Sequence, residues 1–96
     1  MRRDEALRII AAHRAELTAL KVKHLYLFGS VARDEARPDS DVDVLVEFSE
    51  PVDLFDIGGL GSYLEEILGR SVDISMMKTL RPQIREGVLR DAIPAA

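Results

Sequence analysis

The segment Asp41 to Phe48, DVDVLVEF, restricts the possible folds of this chain more than any other stretch. Its alternation predicts a β-strand with three valines on one face and Asp41, Asp43 and Leu45 on the other. The two carboxylates project from the same face with Cβ atoms roughly 6–7 Å apart. Like charges at this spacing repel, and burying them requires a counter-charge. Either the strand lies at an edge with a solvated face, or a divalent cation such as Mg²⁺ binds there.

Gly29 and Ser30 stand directly after the apolar run His24 to Phe28, which predicts a first strand. Glycine lets the backbone approach a ligand closely. Amide groups at the start of a following helix favour an anion, and the Ser30 hydroxyl adds a donor. A Gly-Ser pair is also an ordinary turn, so it predicts a phosphate site only in combination with the acidic strand.

Hydrophobic periodicity over the rest of the chain predicts an α/β (α+β) domain, in which helices flank a small mixed β-sheet of about three to four strands. The predicted elements are a helix over 3–20, a strand over 24–28, a brief helix over 31–36, a turn over 37–40, a strand over 41–48, a helix over 52–68 ending at Gly69, a strand over 71–76 and a last helix from 79–82 onward.

The length of 96 residues suits a single domain over 1–96, and the absence of cysteine excludes disulfides and thiolate metal sites. A net charge of −4 argues against direct nucleic-acid binding. No apolar run approaches the ~20 residues that span a bilayer, and the N-terminus does not read as a signal peptide. We therefore expect a cytoplasmic protein without a membrane partner.

A third acid, Asp73, lies within the apolar run of the predicted strand 71–76. It either faces water or completes a set of three metal ligands with Asp41 and Asp43. Asp39, Asp41, Asp43 and Glu50 also match positions of a calcium-binding loop. That loop needs glycine at its sixth position, where this chain has Val44 within a predicted strand, so the calcium interpretation is weak.

Gly29-Ser30, ten intervening residues and then Asp41-x-Asp43 resemble the signature of the polymerase-β-like nucleotidyltransferase superfamily. The longer run LYLFGSVARDEARPDSDVDVLVEF is similar in particular to the minimal nucleotidyltransferases of bacteria and archaea, and Asp73 fits the third acid of that family. The resemblance implies a polymerase-β palm-like fold and transfer of AMP, or another NMP, from ATP or another NTP to a hydroxyl. The expected acceptor is a tyrosine of a HEPN-domain ribonuclease toxin, and this enzyme would be its type VII-like antitoxin.

The resemblance also implies roles for individual residues. Asp41, Asp43 and Asp73 are expected to be catalytic and to hold two Mg²⁺ ions, for which Mn²⁺ can substitute. The nucleotide is expected to contact four residues: Gly29, Ser30, Arg33 and Ser40. Independently of the resemblance, Arg33 and Arg37 lie between the two motifs, and either could neutralise phosphate charge, with a solvated surface arginine as the alternative for each. Turn chemistry indicates that Ser40 caps or braces the turn before Asp41.

Two other functions remain open from the sequence. The chain could be a non-catalytic nucleotide- or metal-binding antitoxin subunit that neutralises its partner by occlusion. It could also be a plain structural domain with incidental acids, which would require the spacing of Gly29-Ser30 and Asp41-x-Asp43 to be chance.

Overall fold

The computed structural model describes residues 1–35, 37 and 40–96, and for Ile84 only the backbone. Within these residues no helix is long and apolar enough to cross a membrane. The elements in chain order are α1 (Arg3–Ala12), α2 (Arg14–Ala19), β1 (Val22–Phe28), α3 (Gly29–Ala32), β2 (Val42–Phe48), α4 (Leu54–Leu68), β3 (Val72–Met76), a 3₁₀ turn (Met77–Thr79), α5 (Pro82–Asp91) and β4 (Ile93–Pro94).

The sheet has the strand order β3-β2-β1-β4 and is mixed, as predicted. Strand β1 pairs antiparallel with both β2 and β4, whereas β2 pairs parallel with β3. Parallel neighbours need a crossover connection, and α4 supplies it between β2 and β3. The short strand β4 is an element that periodicity did not predict.

One face of the sheet forms the core under the helices. Buried side chains of β1 and β2 on this face, such as Leu25 and Val44, join Leu60 and Leu64 of α4 in one apolar cluster. Helix α4 approaches β3 closely, because a Cβ atom at Gly61 would lie 3.4 Å from Ile74 Cδ1. The strand alternation therefore leaves the odd-numbered positions of β2 on the opposite face, away from α4.

The predicted helix over 3–20 is interrupted at His13, which separates α1 from α2. The His13 backbone N–H bonds to the carbonyl of Ile10, and its ring Nδ1 lies 2.7 Å from the carbonyl oxygen of Ile9. These bonds replace the regular helical pattern at this point. Strand β1 also begins at Val22, two residues before the predicted start.

Helix α4 begins at Leu54 rather than Val52, because Asp53 caps it in a capping box with Asp56. The apolar spacing of this helix predicts that Leu54 packs inward with Leu60 and Leu64, but that prediction is wrong, since the Leu54 side chain is 83% exposed. The buried stripe runs through Leu60 and Leu64, and a position six residues before Leu60 lies well off that stripe. The predicted end is confirmed: Gly69 adopts the left-handed conformation (φ 67°) and its N–H bonds to the Glu65 carbonyl at 2.9 Å.

Candidate active site

The acids of β2 and β3 lie side by side on the face of the sheet opposite α4. The parallel register pairs Asp43 with Asp73, and paired residues of neighbouring strands project from the same face. Asp41 directly precedes the first residue of β2. Asp43 is half-buried, whereas Asp41 and Asp73 are exposed. The strand predicted over 41–48 thus begins one residue later, at Val42, and the three predicted acids lie at or just before the starts of β2 and β3, at one end of the sheet.

The electrostatics of Asp43 reflect this grouping. Partial burial raises the pKa of Asp43, and the nearby carboxylates of Asp73 and then Asp41 raise that pKa further. The Arg33 guanidinium acts in the opposite direction. Carboxylates that raise one another's pKa repel when ionised, and a bound cation would relieve that repulsion.

Gly29 is the residue that allows the turn after β1 to approach Asp43. Strand β1 pairs Phe28 with Asp43, so the chain reaches Gly29 directly beside the carboxylate. Gly29 has φ +70°, and a Cβ atom there would overlap the Asp43 carboxylate and lie 3.1 Å from its Cγ. Only glycine fits without displacing Asp43.

The short helix α3 starts earlier than predicted, since it spans Gly29–Ala32 rather than 31–36. The Arg33 N–H bonds to the Gly29 carbonyl at 3.2 Å, which brings Gly29 and Ser30 into the first turn. Ser30 is half-buried there. The first amides of a helix have no acceptor within that helix. The region between α3 and β2 includes residues 36, 38 and 39, which lie outside the described residues.

Arg33 follows α3 and makes two ion pairs. Its Nε lies 3.3 Å from Glu35 Oε2, and its Nη1 lies 3.4 Å from Asp91 Oδ2 at the end of α5. The predicted contact of Arg33 with nucleotide stays a prediction. Glu35 and Asp91 were not among the predicted site residues.

Ser40 braces the turn before Asp41, as expected from its position. Its Oγ accepts a hydrogen bond from the Arg37 N–H at 3.0 Å, and its own N–H donates to the Arg37 carbonyl at 3.0 Å. These bonds fix the chain just before it enters β2. A direct contact of Ser40 with nucleotide stays a prediction.

The metal site also stays a prediction. Among the residues that the structure describes, no three His, Asp or Glu side chains are already gathered as a set of metal ligands. The donor chemistry nevertheless suits a hard divalent cation, since the site offers carboxylate oxygens from adjacent strands. The calcium-loop alternative fails, because β2 runs straight through the stretch that would have to turn.

A cavity of about 300 Å³ lies at the other end of the same strands. Its lining comes from the carboxyl ends of β2 and β3 and from the segments that follow them, namely Val46, Glu47, Phe48, Glu50, Pro51, Val52, Met76, Met77 and Lys78. It contains none of the three aspartates of the acidic group. The cavity and the acidic group therefore indicate different locations for a functional site.

The sequence profile of the nucleotidyltransferase domain matches residues 9–94, which include every residue of the acidic group and the Gly29 turn. The chain belongs to the nucleotidyltransferase-domain family. Members of this family use divalent metal ions.

Individual relatives agree with the family assignment. This nucleotidyltransferase is 41% identical over 91 residues to the protein adenylyltransferase MntA of Thermococcus cleftensis, which covers 94% of this chain and 92% of that protein. A solved structure proposed to be a minimal nucleotidyltransferase has a TM-score of 0.85 and 41% identity, with 98% of this chain and 96% of that chain covered.

A more distant structure shares the fold. The MNT antitoxin in complex with the tri-AMPylated HEPN toxin of Shewanella oneidensis has a TM-score of 0.60 at 18% identity, with 91% of this chain and 71% of that chain covered. At this identity the likeness shows the fold alone. It confirms the predicted minimal nucleotidyltransferase architecture of a four-stranded mixed sheet with flanking helices.

Proposed function

We propose that this chain is a protein adenylyltransferase that transfers AMP from ATP to a hydroxyl group, namely a tyrosine of a HEPN-domain toxin, and thereby acts as an antitoxin. The observation that carries the proposal is the pairing of Asp43 with Asp73, directly beside the tight turn at Gly29. Kinship with MntA supports AMP as the transferred group and protein as the acceptor. The single domain over 1–96 is the catalytic unit of the proposal.

Nucleotide binding would begin at the Gly29-Ser30 turn. The turn lies against Asp43 without an intervening side chain, so a triphosphate can approach both the backbone and the acids. The Ser30 hydroxyl donates to a phosphate oxygen, and Arg33 neutralises part of the phosphate charge. Ser40 holds the chain before β2 and so fixes the position of Asp41.

The metal site of the proposal consists of Asp41, Asp43 and Asp73. Carboxylates on adjacent strands, one of them half-buried and with a raised pKa, fit a hard divalent cation that cancels their repulsion. Mg²⁺ is the proposed ion, with two ions bound and Mn²⁺ as a substitute. When bound, such ions stabilise the charge on the entering and leaving oxygens of a phosphoryl transfer.

The transfer step forms a bond between the acceptor oxygen and the α-phosphorus of ATP. The bond from that phosphorus to the bridging oxygen of pyrophosphate breaks, and pyrophosphate leaves with the electron pair. The hydroxyl proton passes to the Asp73 carboxylate, which is exposed and therefore accessible to an acceptor from another protein. Positioning and charge stabilisation supply most of the rate, as in other phosphoryl transfers.

A second candidate function is neutralisation of the partner by occlusion, without turnover. It shares the HEPN toxin as partner and the cytoplasm as expected location. Occlusion needs a docking surface but gives no reason for Asp43 to lie against the Gly29 turn and beside Asp73. Asp43 is half-buried beside two other carboxylates, and its burial and these neighbours raise its pKa and make its ionised form less favourable. Such an unfavourable arrangement is typical of active sites and therefore favours catalysis over occlusion.

The test is transfer of radiolabelled AMP from α-labelled ATP to a purified HEPN-domain toxin, with Mg²⁺ present. The wild-type chain should label the partner at a tyrosine. The Asp41→Asn/Asp43→Asn variant should lose at least about 1,000-fold of the rate, because the proposed metal ligands are gone. A matched control, Glu5→Gln/Glu66→Gln, removes two exposed helix carboxylates and should label the partner at the wild-type rate.

Toxin neutralisation separates the two functions. If the Asp41→Asn/Asp43→Asn variant binds the partner and still neutralises it without transferring AMP, occlusion is correct. If that variant transfers AMP at the wild-type rate, the acidic group is not the active site and the proposal is wrong.

A further inference from the structure

The guanidinium of Arg33 lies between two carboxylates that come from different parts of the chain. Glu35 is two residues away, whereas Asp91 is 58 residues away at the end of α5. The ion pairs use Nε and Nη1, at 3.3 Å and 3.4 Å. A guanidinium has five N–H donors in a planar fork, so these two contacts leave donors that can reach an anion.

The strand pairing brings Asp91 to this place. Strand β4 pairs Ile93 with Leu27 in antiparallel register. Continuing that register by two residues on each strand sets position 91 opposite position 29, at the Gly29 turn. Helix α5 also packs against α3 and β1. The C-terminal segment therefore delivers a carboxylate to the same turn that precedes Arg33.

Helix stability does not explain an acid at this position. Asp91 is the last residue of α5, where the helix macrodipole favours a positive charge and disfavours a carboxylate. Among the described residues, its ion-pair partner is Arg33. An acid that is unfavourable for its own helix and touches Arg33 points to a role at Arg33.

We propose that Asp91 is a positioning residue, which holds Arg33 in place for the nucleotide triphosphate. This inference rests on the proposed nucleotidyl transfer. A free arginine side chain loses rotamer entropy when it fixes a phosphate. Asp91 and Glu35 restrict the guanidinium before the nucleotide arrives, so that less entropy is lost on binding.

The experiment measures the equilibrium dissociation constant of a non-hydrolysable ATP analogue with Mg²⁺, and in parallel KM for ATP and kcat. Asp91→Ala should weaken analogue binding and raise KM by about two- to fivefold, the range of an exposed ion pair, with kcat changed less. Asp91→Asn keeps an acceptor oxygen and should lose less than Asp91→Ala. Glu86→Ala, on the same helix and also exposed, is the matched control and should bind like the wild type.

A double-mutant cycle decides whether the effect passes through Arg33. In an Arg33→Ala background, Asp91→Ala should change analogue binding no further. If the loss is the same with and without Arg33, or if Asp91→Ala binds the analogue more tightly, Asp91 does not position Arg33. If the wild-type chain binds no ATP analogue at all, the proposed function fails instead, and the two failures are thus distinguishable.

Discussion

The two ends of the parallel pair β2–β3 differ in what they offer. At the end where the strands begin, Asp43 and Asp73 stand side by side next to the Gly29 turn. At the end where they finish, a cavity of about 300 Å³ is lined largely by apolar side chains such as Val46 and Met76. The first end therefore offers carboxylates beside a close backbone turn, and the second offers a cavity.

The comparison teaches that the proposed site of chemistry and the cavity lie at opposite ends of the parallel pair. A phosphoryl-transfer site needs converging charges and a backbone that admits phosphate, and the acceptor can arrive on another protein. Asp56 shares its ion-pair partner Lys21 with Glu50 of the cavity lining, so Asp43 and Asp56 can be compared as carboxylates of the two ends. The pKa of Asp43 is raised by burial and neighbouring acids, whereas the pKa of Asp56 is lowered by hydrogen bonds from the Asp53 N–H and from Lys21.

After the loss expected for Asp41→Asn/Asp43→Asn, the largest effect should come from Gly29→Ala. The added Cβ would overlap the Asp43 carboxylate, and φ +70° is unfavourable for alanine. We expect the AMP-transfer rate to fall by about 100-fold, and the free energy of unfolding to fall by about 1–2 kcal/mol. Gly58→Ala in α4 is the control: its Cβ meets nothing within 4 Å, so unfolding should cost about 0.5–1 kcal/mol more and transfer should be unchanged. Full activity of Gly29→Ala would contradict the close approach to Asp43.

The next effect is a pair of opposite stability changes with pH, measured by thermal unfolding without divalent metal. Because the pKa of Asp43 is raised on folding, its contribution to stability falls as pH rises from the ordinary Asp pKa to the raised one. Asp43→Asn should therefore unfold at a higher temperature than the wild type at neutral pH, and the difference should vanish at low pH.

Asp56 should behave in the reverse sense. Its pKa is lowered on folding, so its stabilisation is present above the ordinary Asp pKa and is lost as pH falls through the lowered one. Asp56→Asn should therefore unfold at a lower temperature at neutral pH and converge with the wild type in acid. The same sign of change in both variants at neutral pH would remove the electrostatic contrast between the two ends.

The smallest effect on nucleotide is expected at the cavity. Met77→Ala removes part of the cavity lining, far along the strands from Asp43, so affinity for an ATP analogue should stay within about twofold of the wild type while stability falls by about 1 kcal/mol. Isothermal titration with Mg²⁺ measures this affinity. A tenfold loss would place the nucleotide in the cavity and reverse the comparison.

The features predicted well from the sequence are those that local pattern determines. The alternation of DVDVLVEF indicates a strand with Asp43 opposite the valines, and the structure has β2 there. Gly69 ends α4 for the local reason that glycine tolerates the left-handed conformation. The spacing between Gly29-Ser30 and Asp41-x-Asp43 identified the family before the elements were in place.

The features that were missed depend on contacts between distant segments. Strand β4 has only the residues Ile93 and Pro94, and it exists because β1 offers an edge to pair with. Asp91 has no local signal either, because its partner Arg33 is 58 residues away. Leu54 fits an apolar pattern but begins α4 off the buried stripe, since the capping box at Asp53 sets the helix start.

The most direct test of the central claim is anomalous diffraction from crystals grown with Mn²⁺ and a non-hydrolysable ATP analogue. We predict manganese peaks ligated by Asp43 together with Asp41 or Asp73, with the phosphates against the Gly29-Ser30 turn. Manganese and nucleotide bound instead in the cavity at the carboxyl ends of β2 and β3 would contradict the account.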